Sequence, residues 1–115
     1  MKKQPIVYGI KNCDTVKKAL KYLDANKISY TFSDIRENNP DCERVHGWQK
    51  DIGIKKLFNS RSTTYRNLKL KEKNLNDEEK IEWLCKEPML LKRPVIEYDG
   101  GVLCGYDEGI YKEVL

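Results

Sequence analysis

The sequence holds no CxxC pair, only one histidine (His46), and no apolar run longer than a few residues. Each absence excludes something. Without a second cysteine three positions after the first, any working thiol must rely on an outside partner to release its adducts. With one histidine and no paired CxxC spacing, a structural zinc site finds little support, and none is expected. Apolar runs this short fall far below the roughly 20 residues needed to span a bilayer. Met1-Lys2-Lys3 is basic, but Ile6-Val7-Tyr8 is too short for a signal-peptide core and no small-residue cleavage site follows. The chain is therefore expected in the cytoplasm, away from membranes. No basic stripe interleaved with aromatics occurs, which argues against direct nucleic-acid binding. Internal repeats, low-complexity tracts and flexible linkers are missing as well.

What is present fits one domain. The chain has 115 residues, 39% apolar and 35% charged, and its 22 basic and 18 acidic residues leave a net charge of +4. That length buries a core without needing disulfides or metal. Alternating charges of both signs describe a solvated mixed surface. Four cysteines occur, Cys13, Cys42, Cys85 and Cys104. An even count signals a disulfide framework mainly in small secreted chains, so all four are expected as reduced thiols.

Along the chain, Pro5-Ile6-Val7-Tyr8 reads as a buried strand ending at Gly9. From Asp14 to Asn26, Val16, Ala19, Leu20 and Leu23 follow helical spacing. Ile28 to Ile35 alternates like a second strand. Strand, helix and strand with short links make a βαβ unit with parallel strands. The stretch from about 39 to 88 reads as a helical insertion. Within it, Asn39-Pro40-Asp41 opens a helix that Gly53 stops, residues 59–64 form a polar loop, and Asn76 with Glu79 forms a capping box for a helix that ends at Pro88. Ile81, Leu84 and Cys85 are expected on that helix's buried face. Val95 to Tyr98, the turn Asp99-Gly100-Gly101 and Val102 to Gly105 form a hairpin, and Asp107 to Val114 closes as a short helix.

Cys13 stands just after the first strand, at the start of the first helix. Unpaired backbone N–H groups and the positive end of the helix dipole favour an anion there, and a thiolate is one. Lys11 adds to this and Asp14 opposes it. By position alone, Cys13 is equally compatible with an inert buried thiol. Arg61, in the polar loop, and Arg93, before Pro94, each read singly as surface charge. With Cys13 they suit an oxyanion, a thiolate or a carboxylate. Pro94 is a candidate for a cis peptide bond beside the cysteine.

The segment Val7-Tyr8-Gly9-Ile10-Lys11-Asn12-Cys13-Asp14-Thr15, followed by Lys17-Lys18-Ala19, resembles the active-site segment of the arsenate-reductase-like ArsC/Spx family, and within it the YffB-like branch. Asn59-Ser60-Arg61-Ser62-Thr63-Thr64-Tyr65-Arg66 and Leu91-Lys92-Arg93-Pro94 match in the same order, and the resemblance covers nearly the whole chain. It implies an α/β thioredoxin-like fold, a βαβ…ββα mixed sheet with the helical insertion between the second and third strands. It further implies that Cys13 is the nucleophile, that Arg61 and Arg93 are pocket arginines, and that Pro94 is the cis-proline. Lys11, Asn12, Asp14 and Thr15 would help to bind an anion, with the backbone N–H groups from Asn12 to Thr15 forming a nest.

The implied function is a glutathione-dependent thiol/disulfide reductase with one nucleophilic cysteine, glutathione as co-substrate, and no bound cofactor. The alternatives are an Spx-like regulator that binds the RNA polymerase alpha subunit without catalysis, or an arsenate reductase. Two departures bear on these. The place of a third family arginine, after Leu103-Cys104, is Gly105, which removes one charge partner from an arsenate. Spx regulators often carry a second cysteine three positions after the first, and here that place is Val16. A monomer is expected. Cys85 and Cys104 read as core residues, Cys42 as exposed, and His46 as a surface or partly buried residue.

Overall fold

A computed structural model describes residues 4–115; Met1-Lys2-Lys3, read above for a leader, lies outside them. Two compact units make up the described residues, 4–34 with 93–115, and 35–92. The second unit contains the stretch expected as an insertion and extends past it at both ends.

The first unit is built on a four-stranded sheet in the order β2-β1-β3-β4. Its strands are β1 (Ile6–Gly9), β2 (Thr31–Asp34), β3 (Val95–Tyr98) and β4 (Gly101–Cys104). β1 runs parallel to β2 and antiparallel to β3, and β4 returns antiparallel along β3. Mixed pairing follows from the connections: a helix carries the chain from β1 to β2, whereas a tight turn at Asp99-Gly100 joins β3 to β4. Helix α1 (Asp14–Ala25) buries Val16, Ala19 and Leu23, three members of the expected apolar stripe. The core joins Val7, Ala19, Leu23, Ile96 and Tyr111, the last from α6 (Glu108–Val114). The order read from the sequence is thus present. β2 is shorter than expected, because residues 27–30 complete the turn out of α1: Lys27 takes a positive φ of 56° and the Ile28 N–H donates to the Leu23 carbonyl.

Gly9 has a specific reason to be glycine. A Cβ built there would lie 2.8 Å from Val16 Cγ2, and Val16 is wholly buried. The missing side chain lets the first turn of α1 close over the end of β1. Gly9→Ala is expected to cost about 1–3 kcal/mol, as overpacking of a filled site does. Urea unfolding of the two proteins checks this through the midpoint at unchanged slope.

The second unit contains α2 (Cys42–Ile52), α3 (Ile54–Leu57), α4 (Thr63–Asn67) and α5 (Asp77–Lys86), with short 3₁₀ turns at Leu70–Lys73 and Pro88–Leu90. Val45, Trp48, Ile54, Leu57, Phe58, Leu70 and Leu84 are buried. α2 starts where Asp41 accepts the Arg44 N–H at 2.7 Å, and it stops at Gly53, whose φ of 86° suits glycine. The expected polar loop at 59–64 needs correction. Ser62 is buried and caps α4, accepting the Tyr65 N–H at 3.1 Å, so Thr63 and Thr64 are helical. A serine followed by β-branched polar residues reads as loop until its hydroxyl is seen to satisfy a helix end.

The capping box at Asn76 is present: the Glu79 N–H donates to Asn76 Oδ1 at 2.8 Å, and the Asn76 N–H to Glu79 Oε1 at 3.1 Å. Asn76→Ala should lower stability by about 1 kcal/mol, read as a lower thermal midpoint.

A second correction concerns the cysteines. Cys42 and Cys85 form a disulfide, with Cα atoms 5.0 Å apart, where four reduced thiols were expected. Cys85 is half-buried rather than core. Helices α2 and α5 pack on each other and bring together residues 43 apart in sequence. No local spacing announces such a pair. Closing a loop of that length stabilises by about 4 kcal/mol in the chain-entropy picture.

Candidate thiol site

Cys13 is the N-cap of α1, with extended backbone angles (φ −94°, ψ 126°). Its carbonyl accepts the Lys17 N–H at 2.9 Å, which opens the helix. Its side chain makes no capping hydrogen bond and is half-buried, so the sulfur stands at the helix start with access to solvent. The N–H groups of Asp14, Thr15 and Val16 belong to the first turn and have no intrahelical acceptor. The expected nest is smaller than residues 12–15, because the Cys13 N–H donates to the Ile10 carbonyl at 3.3 Å. Lys11, Asn12 and Asp14 are exposed, and Thr15 is half-buried.

The turn is placed by the sheet. β1 pairs with β3 so that Tyr8 stands opposite Val95, and this register sets Pro94 alongside Gly9, where the chain leaves for Cys13. The Arg93–Pro94 peptide bond is cis, as the sequence suggested it could be. Pro94 is buried and its carbonyl accepts the Gly105 N–H at 2.8 Å. Arg93 is half-buried, with its Nε shielded from solvent, and it interacts with other groups of the protein. Lys11, Asn12, Cys13, Asp14, Thr15, Arg93 and Pro94 thus lie in one unit, on the turn and helix that follow β1 and on the residues that lead into β3, its neighbour in the sheet.

Arg61 belongs to the other unit. It is exposed, in the turn before α4, and its N–H donates to Asn59 Oδ1 at 3.0 Å.

Gly105 follows β4 with φ 82°, a conformation that side-chain-bearing residues rarely adopt, and it is buried. The backbone there suits glycine. Its carbonyl accepts the Tyr111 hydroxyl at 2.5 Å. Burial, then the neighbouring Cys104, pushes the Tyr111 hydroxyl well above the ordinary phenol range.

Sequence reasoning missed one cluster. The donor atoms of Cys42, His46 and Cys85 all lie within 4.8 Å of one another. Cys42 and His46 are four residues apart on α2 and so share a helix face. That spacing was the available signal; the third member on α5 was not legible.

The sequence profile of the ArsC family matches residues 8–114. An uncharacterized protein of Haemophilus influenzae is 43% identical over 107 residues, covering 92% of this chain and 94% of the relative. The solved structure of a YFFB protein superimposes with a TM-score of 0.89 at 35% identity, covering 96% of this chain and 98% of the other. A global transcriptional regulator, Spx 2 of Bacillus anthracis, is 24% identical over 110 residues, covering 93% of this chain and 84% of the regulator. The fold is the thioredoxin-like fold of arsenate-reductase-like proteins, and the chain belongs to the ArsC family. Among the described residues no helix is long and apolar enough to cross a membrane.

Proposed function

We propose that the protein is a cytoplasmic, monomeric thiol/disulfide reductase that uses Cys13 as its single nucleophile and glutathione as co-substrate. The observation that carries this reading is the half-buried Cys13 at the start of α1, with no capping hydrogen bond from its side chain, on the turn that leaves β1 where cis-Pro94 leads into the adjoining β3.

In the first step the Cys13 thiolate attacks the glutathionyl sulfur of a mixed disulfide. A new S–S bond forms, the old one breaks, and the substrate leaves as a thiolate that takes up a proton. In the second step a glutathione thiolate attacks the glutathionyl sulfur on Cys13. Glutathione disulfide leaves and the Cys13 thiolate returns, so one mixed disulfide and one glutathione thiol give one substrate thiol and one glutathione disulfide. First-turn N–H groups of α1 favour the thiolate in both steps. Arg93 would hold a ligand carboxylate, and Arg61 keeps the anion-binding role that family resemblance implies for it. The glycine-favouring backbone at Gly105 supports a thiol substrate over arsenate, since it removes one charge partner.

The test is glutathione-dependent reduction of a small mixed disulfide by wild type and Cys13→Ser. A second reading, a regulator that binds the RNA polymerase alpha subunit, is favoured by the similarity to Spx 2. It predicts capture of the alpha subunit by both proteins and turnover by neither.

A further inference from the structure

Cys42, His46 and Cys85 make a second thiol centre, independent of the reductase reading and confined to the second unit. Cys42 is the first residue of α2, and His46 lies one turn later on the same face. Cys85 reaches them from α5. Cys42 and His46 are exposed and Cys85 is half-buried, so small reagents and ions have access. The two sulfurs are joined as a disulfide, and that state offers no thiolate. Reduction frees two thiols, whose sulfurs lie within 4.8 Å of a His46 ring nitrogen in the disulfide-bonded structure. Donors around a tetrahedral zinc lie roughly 3.5–3.8 Å apart, given metal–donor bonds of about 2.0–2.3 Å. The three donors already lie within 4.8 Å of one another, and a set of two sulfurs and one imidazole nitrogen suits zinc rather than magnesium or calcium.

We infer that Cys42, His46 and Cys85 form a redox-gated binding site for a zinc-class divalent cation, open to the ion when reduced and closed to it by the disulfide. Three protein donors leave one position for water or a further ligand. The closing reaction takes a low-molecular-weight disulfide as oxidant. One protein thiolate attacks it and releases one small thiol; the second protein thiolate then attacks the protein-bound sulfur and releases the other. Two electrons pass from the cysteines to the small disulfide, and the protons lost by the cysteines reappear on the two released thiols.

The test is a Co²⁺ titration of the reduced full chain, followed by displacement with Zn²⁺. Expected are one Co²⁺ per chain with thiolate-to-metal absorption, the same result for Cys13→Ser, and loss of the band in Cys42→Ser and Cys85→Ser. His46→Ala should weaken affinity at least about tenfold, no less than removal of an outer partner usually does. Treatment with glutathione disulfide should abolish the band and yield a Cys42–Cys85 cross-linked peptide. A band that survives in Cys42→Ser or Cys85→Ser, or that disappears in Cys13→Ser, overturns the inference. Because either serine variant can lose structure, alkylation of wild type provides a second measurement. Zn²⁺ must slow modification of Cys42 and Cys85 while leaving Cys13 and Cys104 reactive, and equal rates with and without Zn²⁺ also overturn it.

Discussion

Cys13→Ser is expected to lower glutathione-dependent turnover by on the order of a thousandfold or more, to the uncatalysed rate. The size of the effect follows from the chemistry. A serine hydroxyl at a helix start remains protonated near neutral pH and cannot form the S–S bond on which both half-reactions depend. The substitution is nearly isosteric, and a serine is a good N-cap, so α1 should persist or gain slightly. Far-ultraviolet circular dichroism therefore stays unchanged while the rate collapses. The adduct gives an independent readout: wild type incubated with a glutathione mixed disulfide acquires one glutathionyl group on the peptide holding Cys13, and the variant acquires none there. A rate unaffected by the substitution would remove the proposed mechanism altogether. Loss of the rate with the adduct still on Cys13 of wild type would instead locate the fault in the second step, where glutathione resolves the adduct.

Tyr111→Ala should be the most destabilising of the single changes considered, by about 3–5 kcal/mol, since it empties a large site in a filled core. Tyr111 is 1% exposed and closes the core made by Val7, Ala19, Leu23 and Ile96. Its ring meets Tyr22 and Tyr106 edge-on, with centroids 5.5 Å and 5.1 Å away. Against the 5–15 kcal/mol that ordinarily stabilises a domain, such a loss is large. Tyr111→Phe keeps the ring and removes only the hydrogen bond to the Gly105 carbonyl, so it should cost about 1–2 kcal/mol. The pair separates packing from hydrogen bonding.

The same hydroxyl makes stability depend on alkaline pH. Its pKa is raised in the folded protein, chiefly by burial, above the value of about 10 in an unfolded chain. Below that pH both states hold the proton and the group adds no slope. Above it the unfolded chain releases the proton first, so stability falls as pH rises. Urea midpoints measured from about pH 8 to 11 should decline more steeply in wild type than in Tyr111→Phe. Tyr30 keeps some slope in the variant, because burial and the nearby Asp24 raise its pKa in the same direction.

Much of this protein is legible before folding is considered. The run Ile6-Val7-Tyr8, the stripe Val16-Ala19-Leu23 and the turn at Asp99-Gly100 each carry their structure in nearest neighbours, where hydrophobic period and turn chemistry act. The capping box at Asn76 spans three residues and was equally visible. Cys13 could be singled out because a helix start is a local feature and the motif around it is continuous. The Cys42–Cys85 disulfide was not legible because its partners lie 43 residues apart on separate helices. Ser62 looked like loop because its value as a cap depends on the helix that follows. Gly105, read as standing in the place of a family arginine, has a φ of 82° and accepts the Tyr111 hydrogen bond, a backbone fitted to glycine that the sequence did not show.

By itself, then, the sequence determined the order of strands and helices, the parallel βαβ start, the antiparallel hairpin and the placement of Cys13 at a helix N-terminus. These rest on periodicity and caps that reach no further than one or two turns. Only the tertiary structure decided which strands pair across the chain, that β3 sits beside β1 with Pro94 level with Gly9, and that Cys42, His46 and Cys85 converge. Those contacts join residues tens of positions apart, and they arise from burying helix and sheet faces together, a requirement that leaves no local pattern in the chain.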